Sequence, residues 1–351
     1  MDVRTSGKVS DMTQRPRIHC FRLALAILGL TCVSCQPVNR LAAENLVESG
    51  DRHLARNDLD AAIREFQRAS AWDPKLSTPF SRLGAVYRKL GDYDRAIEQF
   101  VEAVKRNPFS FQDALDLAHL YFRTQRLAEA AKAYLHAVEL RPGNAEARVN
   151  LGVCYQELGD YAQAEAAFRE AVELQPDAPF ALVNLGVACA AQGKYYEAIR
   201  AYKDALERDA NQPRVLVNLA NAYLKQDRLL LARESLEQAV RIDPEYAEAL
   251  EALGYCHFLR KEYDLALEAY QKALIQDPKR PRCHAGLGSI FMLRYLSDST
   301  NVDGKERAIE HWHRSLELDS NQPRIRHLIA KYQGHGAAKD ETGVLSGVLE
   351  P

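Results

Sequence analysis

An excess of either charge is missing from this chain of 351 residues: 46 Lys and Arg face 48 Asp and Glu, for a formal net charge of −2. That balance supplies no electrostatic reason to expect nucleic acid or a polybasic membrane patch. Glycine and proline are scarce, at 18 and 14 positions, while hydrophobic residues make up 47%. A collagen-like or largely disordered chain is thereby excluded. Cysteine is scarce as well, and three of the seven (Cys20, Cys32 and Cys35) crowd the N-terminus. The spacings of the other four, Cys154, Cys189, Cys256 and Cys283, fit no metal motif and no dense disulfide framework. Each lies inside a helical pattern and reads as a small buried hydrophobe, with a disulfide in an oxidising compartment as the alternative.

Catalytic signatures are missing too: the chain has no phosphate loop, no dinucleotide fingerprint and no serine nucleophile elbow. His311 and His313 are two apart on a helix, point in different directions and cannot form an i, i+4 metal pair. Neighbouring acids, Asp92 with Asp94 and Glu165 with Glu170, fall on polar helix faces and read as solvated surface. The expectation is a protein that is not an enzyme and needs neither metal nor cofactor.

One long apolar run exists. Arg15, Arg17 and Arg22 precede Leu23-Ala24-Leu25-Ala26-Ile27-Leu28-Gly29-Leu30, which continues through Thr31-Cys32-Val33 to Ser34-Cys35. It is short for a membrane span, and its basic front edge suits a bacterial secretion signal. Met12 offers an alternative start that shortens the basic segment. Ser34-Cys35 resembles a lipobox, although Cys32 stands where that family usually has Leu. The resemblance implies a lipoprotein-type signal over 1–34, a lipidated Cys35 carrying palmitate-type chains, and a linker over 35–42. Gln36 is not the aspartate linked to inner-membrane retention, so the expected place is a bacterial cell envelope, as a periplasm-facing outer-membrane lipoprotein. A cleaved secretory peptide leaving a soluble periplasmic or secreted chain, or an uncleaved anchor, is the alternative.

What fills the rest is a period. Small residues recur at Gly50, Gly84, Ala118, Gly152, Gly186, Ala220, Gly254 and Gly288, every interval being 34. The same register carries Ala62, Ala96, Ala130, Ala164, Ala198, Ala232 and Ala266, then a large residue at Phe66, Phe100, Tyr134, Phe168, Tyr202, Leu236 and Tyr270. Ala69, Ala103, Ala137, Ala171, Ala205, Ala239 and Ala273 follow three further on. Pro74, Pro108, Pro142, Pro176, Pro244 and Pro278 close the units, with Ala210 the exception. The spacing i, i+4, i+7 within Ala96, Phe100 and Ala103 is one helix face. Gly91, Gly159 and Gly193, with Asn57 as a substitute, suit a left-handed cap between two helices, and each proline stops the second helix because it cannot donate a backbone hydrogen bond.

These landmarks resemble the tetratricopeptide repeat (TPR). The resemblance implies an all-α, right-handed α-solenoid of about eight helix-turn-helix units over 43–322, because one hairpin cannot bury its own apolar stripe. In the last unit Gly288 is on register but Ala308 and Trp312 arrive eight residues late. The extra length falls at 297–304, a turn-rich stretch that predicts a solvent-facing loop. Ile325, Leu328, Ile329 and Tyr332 predict a capping helix over 323–333, followed by a loose tail over 334–351. His53 and His257 stand at the position of Tyr87, Tyr121, Tyr155 and Tyr223 and read as packing residues.

In stacked hairpins the first helices line the concave surface, and the residue two before each small landmark looks into it. Three successive positions are asparagine: Asn150, Asn184 and Asn218. Val149, Val153, Val183, Val187 and Val217 flank them, and Asn221 and Arg214 lie nearby. An amide both donates and accepts, so a row of amides can bond an extended peptide's backbone whatever its side chains. The row resembles the asparagine ladder in the repeat domain of O-linked N-acetylglucosamine transferases, here without a catalytic domain; duplication of a repeat consensus is the bland alternative. Recognition of an acidic chain end is disfavoured, because the basic companion that such sites need is Val217 here. The expected role is a membrane-anchored adaptor whose partners are other proteins, similar in anchor and repeat type to pilotins of type IV pili and adaptors of peptidoglycan hydrolases. Structural bridging through the convex face, or self-association, is the rival.

Overall fold

The computed structural model describes residues 38–333. The signal at 1–34, Cys35 and the tail at 334–351 lie outside the described residues. Seventeen helices and no strand occur among the described residues. They divide into two compact units between Pro142 and Gly143.

The first unit holds three helical hairpins. Helix α1 spans 38–55, five residues ahead of the start that the repeat register sets, and takes up part of the expected linker. It is followed by α2 (Leu59–Trp72), α3 (Thr78–Leu90), α4 (Tyr93–Arg106), α5 (Phe111–Arg123) and α6 (Leu127–Leu140). The second unit holds five hairpins and a closing helix. These are α7 (Ala145–Glu157) with α8 (Tyr161–Leu174), α9 (Pro179–Ala191) with α10 (Tyr195–Arg208), α11 (Pro213–Leu224) with α12 (Leu229–Ile242), α13 (Ala247–Leu259) with α14 (Tyr263–Gln276), α15 (Pro281–Ser297) with α16 (Val302–Leu318), and α17 (Pro323–Gln333).

Six of the eight hairpins close on one steric fit. A Cβ added to Gly152 would lie 2.7 Å from Phe168 Cε1, and one on Gly186 would lie 2.5 Å from Tyr202 Cε1. Gly84 faces Phe100 and Gly254 faces Tyr270 in the same way. The landmark glycine thus lets the ring sixteen residues later lie flat on the first helix. The landmark alanines of the second helices, Ala62 to Ala266, are all fully buried. In the last hairpin Trp312 takes the ring's place against Gly288. Ser315 stands where an alanine is usual, buried, with its hydroxyl donating to the Pro281 carbonyl at 2.8 Å.

Turns obey the same register. Gly91, Gly159 and Gly193 have φ of 80°, 79° and 74°, and Asn57, Gln125, Asp227 and Lys261 adopt φ of 59°, 61°, 56° and 62°. Asp58, Asp92 and Asp160 then accept from the amide three residues on, each at 3.2 Å, and start the second helix. Asp92, read from sequence as solvated surface, is therefore a cap. Where Ala210 replaces proline, Asp209 accepts from Asn211 N at 3.0 Å and forms the turn without it.

The eight extra residues are not a loop. Helix α15 has 17 residues against 13 in α7, and α16 has 17 against 14 in α8. Only 298–301 remains as a turn. Four residues in one helix and three in the other add about one turn of 3.6 residues to each, so both apolar faces keep their direction. The predicted loop at 297–304 is corrected accordingly. Helix α17 buries Ile325, Leu328, Ile329 and Tyr332 and closes the apolar cluster that includes Trp312.

Candidate functional site

Within the second unit α7, α9, α11, α13 and α15 touch one another in succession, so the first helices form one continuous face. Asn150, Asn184 and Asn218 stand on that face, each half-buried. The ring residue in the register of each lies sixteen positions earlier. For Asn218 it is Tyr202, and the two line the same cavity of about 330 Å3, together with Val187 and Asn221. For Asn184 it is Phe168, which has no oxygen to offer, and Asn184 Nδ2 is buried without a hydrogen-bond partner. In the next two units the ladder position becomes Ala252 and Gly286. Two of the first unit's three counterparts are committed to ion pairs: Arg82 meets Asp51 at 2.8 Å, and Asp116 accepts from Arg88.

A second cavity, of about 370 Å3, continues from the first through the shared residues Asn221 and Lys225. Val217, Ala252 and Tyr255 form apolar wall, and Glu248, Glu251 and Arg282 bring charge to it. Glu251 occupies the position held by Val217, Val183 and Val149 one, two and three repeats before. Its Oε2 accepts from Arg280 Nε at 3.1 Å and from the Cys283 thiol at 3.6 Å. Burial raises the Glu251 carboxyl above the ordinary carboxylate range, against the pull of Arg280 and Arg282.

Several expected site residues are placed differently. Val183 and Val217 are buried in the core of the second unit, with Val217 only backing the larger cavity. Val149 and Val153 pack half-buried against that core. Only Val187 offers apolar wall at the amide row's own cavity. Val183 and Val217 each stand one position before a ladder asparagine, a rotation of about 100° on the helix, which turns them off the groove face and into the core. Asn221 is exposed and lines both cavities; Arg214 is exposed and lines neither. Sequence reasoning missed Lys225, Glu251, Tyr255 and Tyr270. An acid at a register position that valine fills in the three preceding hairpins was the available signal.

Away from this face, Glu165 corrects another expectation. It is not solvated: it accepts from Lys194 at 2.6 Å, Arg169 at 2.5 Å and Gln192 at 2.9 Å, joining α8 to the turn before α10. Burial would raise its carboxyl, but those three donors outweigh it and hold it at about 2. His311 Nδ1 lies 3.0 Å from His284 Nδ1, whereas His313 reaches Gln333, so the two histidines do diverge.

Residues 84–287 match the family model described as the cilia and flagella-associated protein 70 C-terminal domain, a TPR domain. The chain belongs to this tetratricopeptide-repeat family. No curated protein matches this repeat protein. Among solved structures it is similar to the C-terminal part of a TPR repeat-containing protein from Cytophaga hutchinsonii, at 18% identity and TM-score 0.57, covering 69% of this chain and 99% of that one. It is also similar to the Cut9–Hcn1 hetero-tetramer of the APC/C, at 16% identity and TM-score 0.53, covering 82% of this chain and 55% of that one. A third similar structure is YrrB, a TPR protein with an unusual peptide-binding site, at 21% identity and TM-score 0.45 over 57% of this chain and 98% of that one. At these identities the first two show the fold, an all-α solenoid of tetratricopeptide repeats.

Proposed function

We propose that this repeat protein is a non-enzymatic interaction scaffold whose first-helix face, in the unit after Pro142, holds an extended segment of another protein. Asn150, Asn184 and Asn218 bond the segment's backbone; Asn221 and Val187 line the cavity beside Asn218. The observation that carries the reading is Asn184, whose buried Nδ2 has no partner among the described residues while it stands in a row with an amide that lines an open cavity. A buried amide left unpaired costs about 1–3 kcal/mol, which a bound backbone carbonyl would recover.

The test is a binding comparison. Dodecapeptides selected from a random display library on the native chain are titrated against a triple variant, Asn150→Ala, Asn184→Ala and Asn218→Ala. Affinity is expected to fall about tenfold or more, a loss of at least about 1.4 kcal/mol, with little change in melting temperature. Equal affinity in the triple variant would sink the reading.

The membrane tether is part of the same proposal. It rests on the sequence from Arg15 to Cys35, and a lipidated Cys35 would hold the scaffold at a bacterial envelope membrane. Labelling with radioactive palmitate in a bacterial host checks it: label should enter the native chain and be absent from Cys35→Ser. A second reading, structural bridging through the second helices, is favoured by one observation. Tyr196 on α10 and Leu230 on α12 occupy the same register position and are 75% and 61% exposed. Crosslinks from a complex that map to second helices, and not to first ones, would support it.

A further inference from the structure

The larger cavity holds a feature that the amide row does not use. Tyr270 is buried to 1% exposure, lines this cavity, and its hydroxyl has no hydrogen-bond partner among the described residues. Its ring lies between two glycines: a Cβ on Gly254 or on Gly286 would collide with it. Gly286 is the ladder position of the last hairpin, so the missing side chain there is what lets the ring reach the first-helix face. Beside it Glu251 uses Oε2 for Arg280 and Cys283. Just beneath the cavity floor therefore lie a phenolic hydroxyl and an under-solvated carboxylate, between the apolar walls of Val217, Ala252 and Tyr255.

We infer that this cavity is a pocket for one side chain of the bound segment, an uncharged aromatic bearing a hydrogen-bond donor: tyrosine or tryptophan. The inference rests on the peptide-binding reading above and names its specificity. Three observations select the occupant. The volume of about 370 Å3 stands at the small end of ligand sites, which run from about 300 Å3 upward, and suits one ring system with part of its backbone. Charge is opposed on all sides: Lys225, Arg280 and Arg282 repel a cation, Glu248 and Glu251 repel an anion, so a charged side chain would lose water without a matching gain. A purely apolar ring would leave the Tyr270 hydroxyl as lonely as before, whereas an indole N–H or a phenol O–H can donate to it.

The test uses capped single amino acids, which report on the pocket without the amide row. N-acetyl-tyrosinamide, N-acetyl-tryptophanamide and the phenylalanine, leucine, lysine and glutamate equivalents are titrated into the full chain, reading the methyl signals of Leu224 and Ala252 by NMR. The tyrosine and tryptophan probes are expected to shift both signals and to bind about tenfold tighter than the phenylalanine probe, as a site built around a hydrogen bond rejects the analogue lacking it. Tyr270→Phe removes only the hydroxyl and keeps the ring between its glycines. It should abolish the preference over phenylalanine and leave the melting temperature unchanged or higher. The triple asparagine variant should bind the probes as the native chain does, so a failed amide row and a failed pocket give different results. No shift at Leu224 and Ala252, equal binding of all probes, a preference for the lysine or glutamate probe, or a preference that survives in Tyr270→Phe would each overturn the inference.

Discussion

His257 Nδ1 lies 2.7 Å from Glu262 Oε2, joining the end of a first helix to the start of its second helix across the turn. The same five-residue offset recurs with other chemistry. His53 meets Asp58 at 3.4 Å, while Arg126 lies over the ring of Tyr121 at 4.6 Å and Arg228 over Tyr223 at 5.0 Å. A histidine at this packing position is followed by an acid, and a tyrosine by an arginine where that residue is basic. The turn is clipped in these four hairpins; after Tyr87 and Tyr155 the same place holds Asp92 and Asp160, which cap the second helix instead.

Glu262 gives this clip a pH signature. Hydrogen bonds from Arg260 and then His257 hold its carboxyl at about 2, below the ordinary 4.5. A carboxylate depressed in the folded state contributes stability above its unfolded value, and that contribution is lost as pH falls from about 4.5 through about 2. With solvent screening at a partly exposed site the contribution is about 1 kcal/mol. Glu262→Gln should therefore unfold more easily at neutral pH by about that amount, and the gap to the native chain should close toward pH 2. Urea midpoints at several pH values measure it; a constant gap across that range would refute the assignment.

The repeat itself was legible because packing demands one residue type per position. Only glycine or alanine lets the second helix's ring lie on the first helix, and only proline or an Asx turn ends the unit cleanly. The amide row was legible for the same reason, since its register follows from the landmarks. The eight-residue insertion was not. Ser297-Asp298-Ser299-Thr300 reads as turn by local propensity, yet adding one helical turn to each rod preserves both buried faces, and tertiary packing overrides the local preference. Val183 and Val217 were read as groove contacts, but each stands one position, about 100° of helix rotation, from its asparagine and packs into the core. Tyr270 was placed in the core, correctly, but its path to the cavity depends on Gly286, which lies on another hairpin.

The left-handed turn position yields a pair of opposite outcomes. Gly159 and Lys261 have φ of 79° and 62° at equivalent places. Gly159→Ala should cost about 1 kcal/mol, because a Cβ is strained there. Lys261→Gly should instead be neutral or stabilising by up to about 1 kcal/mol, relief of strain exceeding the glycine's added unfolded freedom. Guanidinium unfolding of the two variants decides; destabilisation by Lys261→Gly comparable to that of Gly159→Ala would contradict the strain argument.

The glycine–ring fit predicts a coupled pair. Gly186→Ala places a methyl group 2.5 Å from Tyr202 Cε1, an overpacking that should cost about 1–3 kcal/mol. One unit further on, the landmark is Ala220 and the residue sixteen later is Leu236, both buried. Combining Gly186→Ala with Tyr202→Leu reproduces that native pairing. The double variant should lose less stability than the two single losses added together, by at least about 0.5 kcal/mol. Strict additivity would show that the two positions do not share a contact.

The four body cysteines should be inert in the folded chain. Cys154, Cys189, Cys256 and Cys283 are buried free thiols. Burial pushes Cys154 up to about 12 and Cys189 and Cys256 up to about 11, and it raises Cys283 further, with Glu251 beside it opposing a second negative charge. Since the thiolate is the reacting species, reaction near pH 8 should be slower than that of a free cysteine by about a hundredfold or more. Ellman's reagent, applied to a background in which Cys20, Cys32 and Cys35 are replaced by serine, should find no fast thiol until guanidinium unfolds the repeats. One thiol that reacts at the rate of a free cysteine in the native chain would mean that a hairpin opens locally. The site of labelling would then name the hairpin, because each of these cysteines sits on a different first helix: α7, α9, α13 or α15.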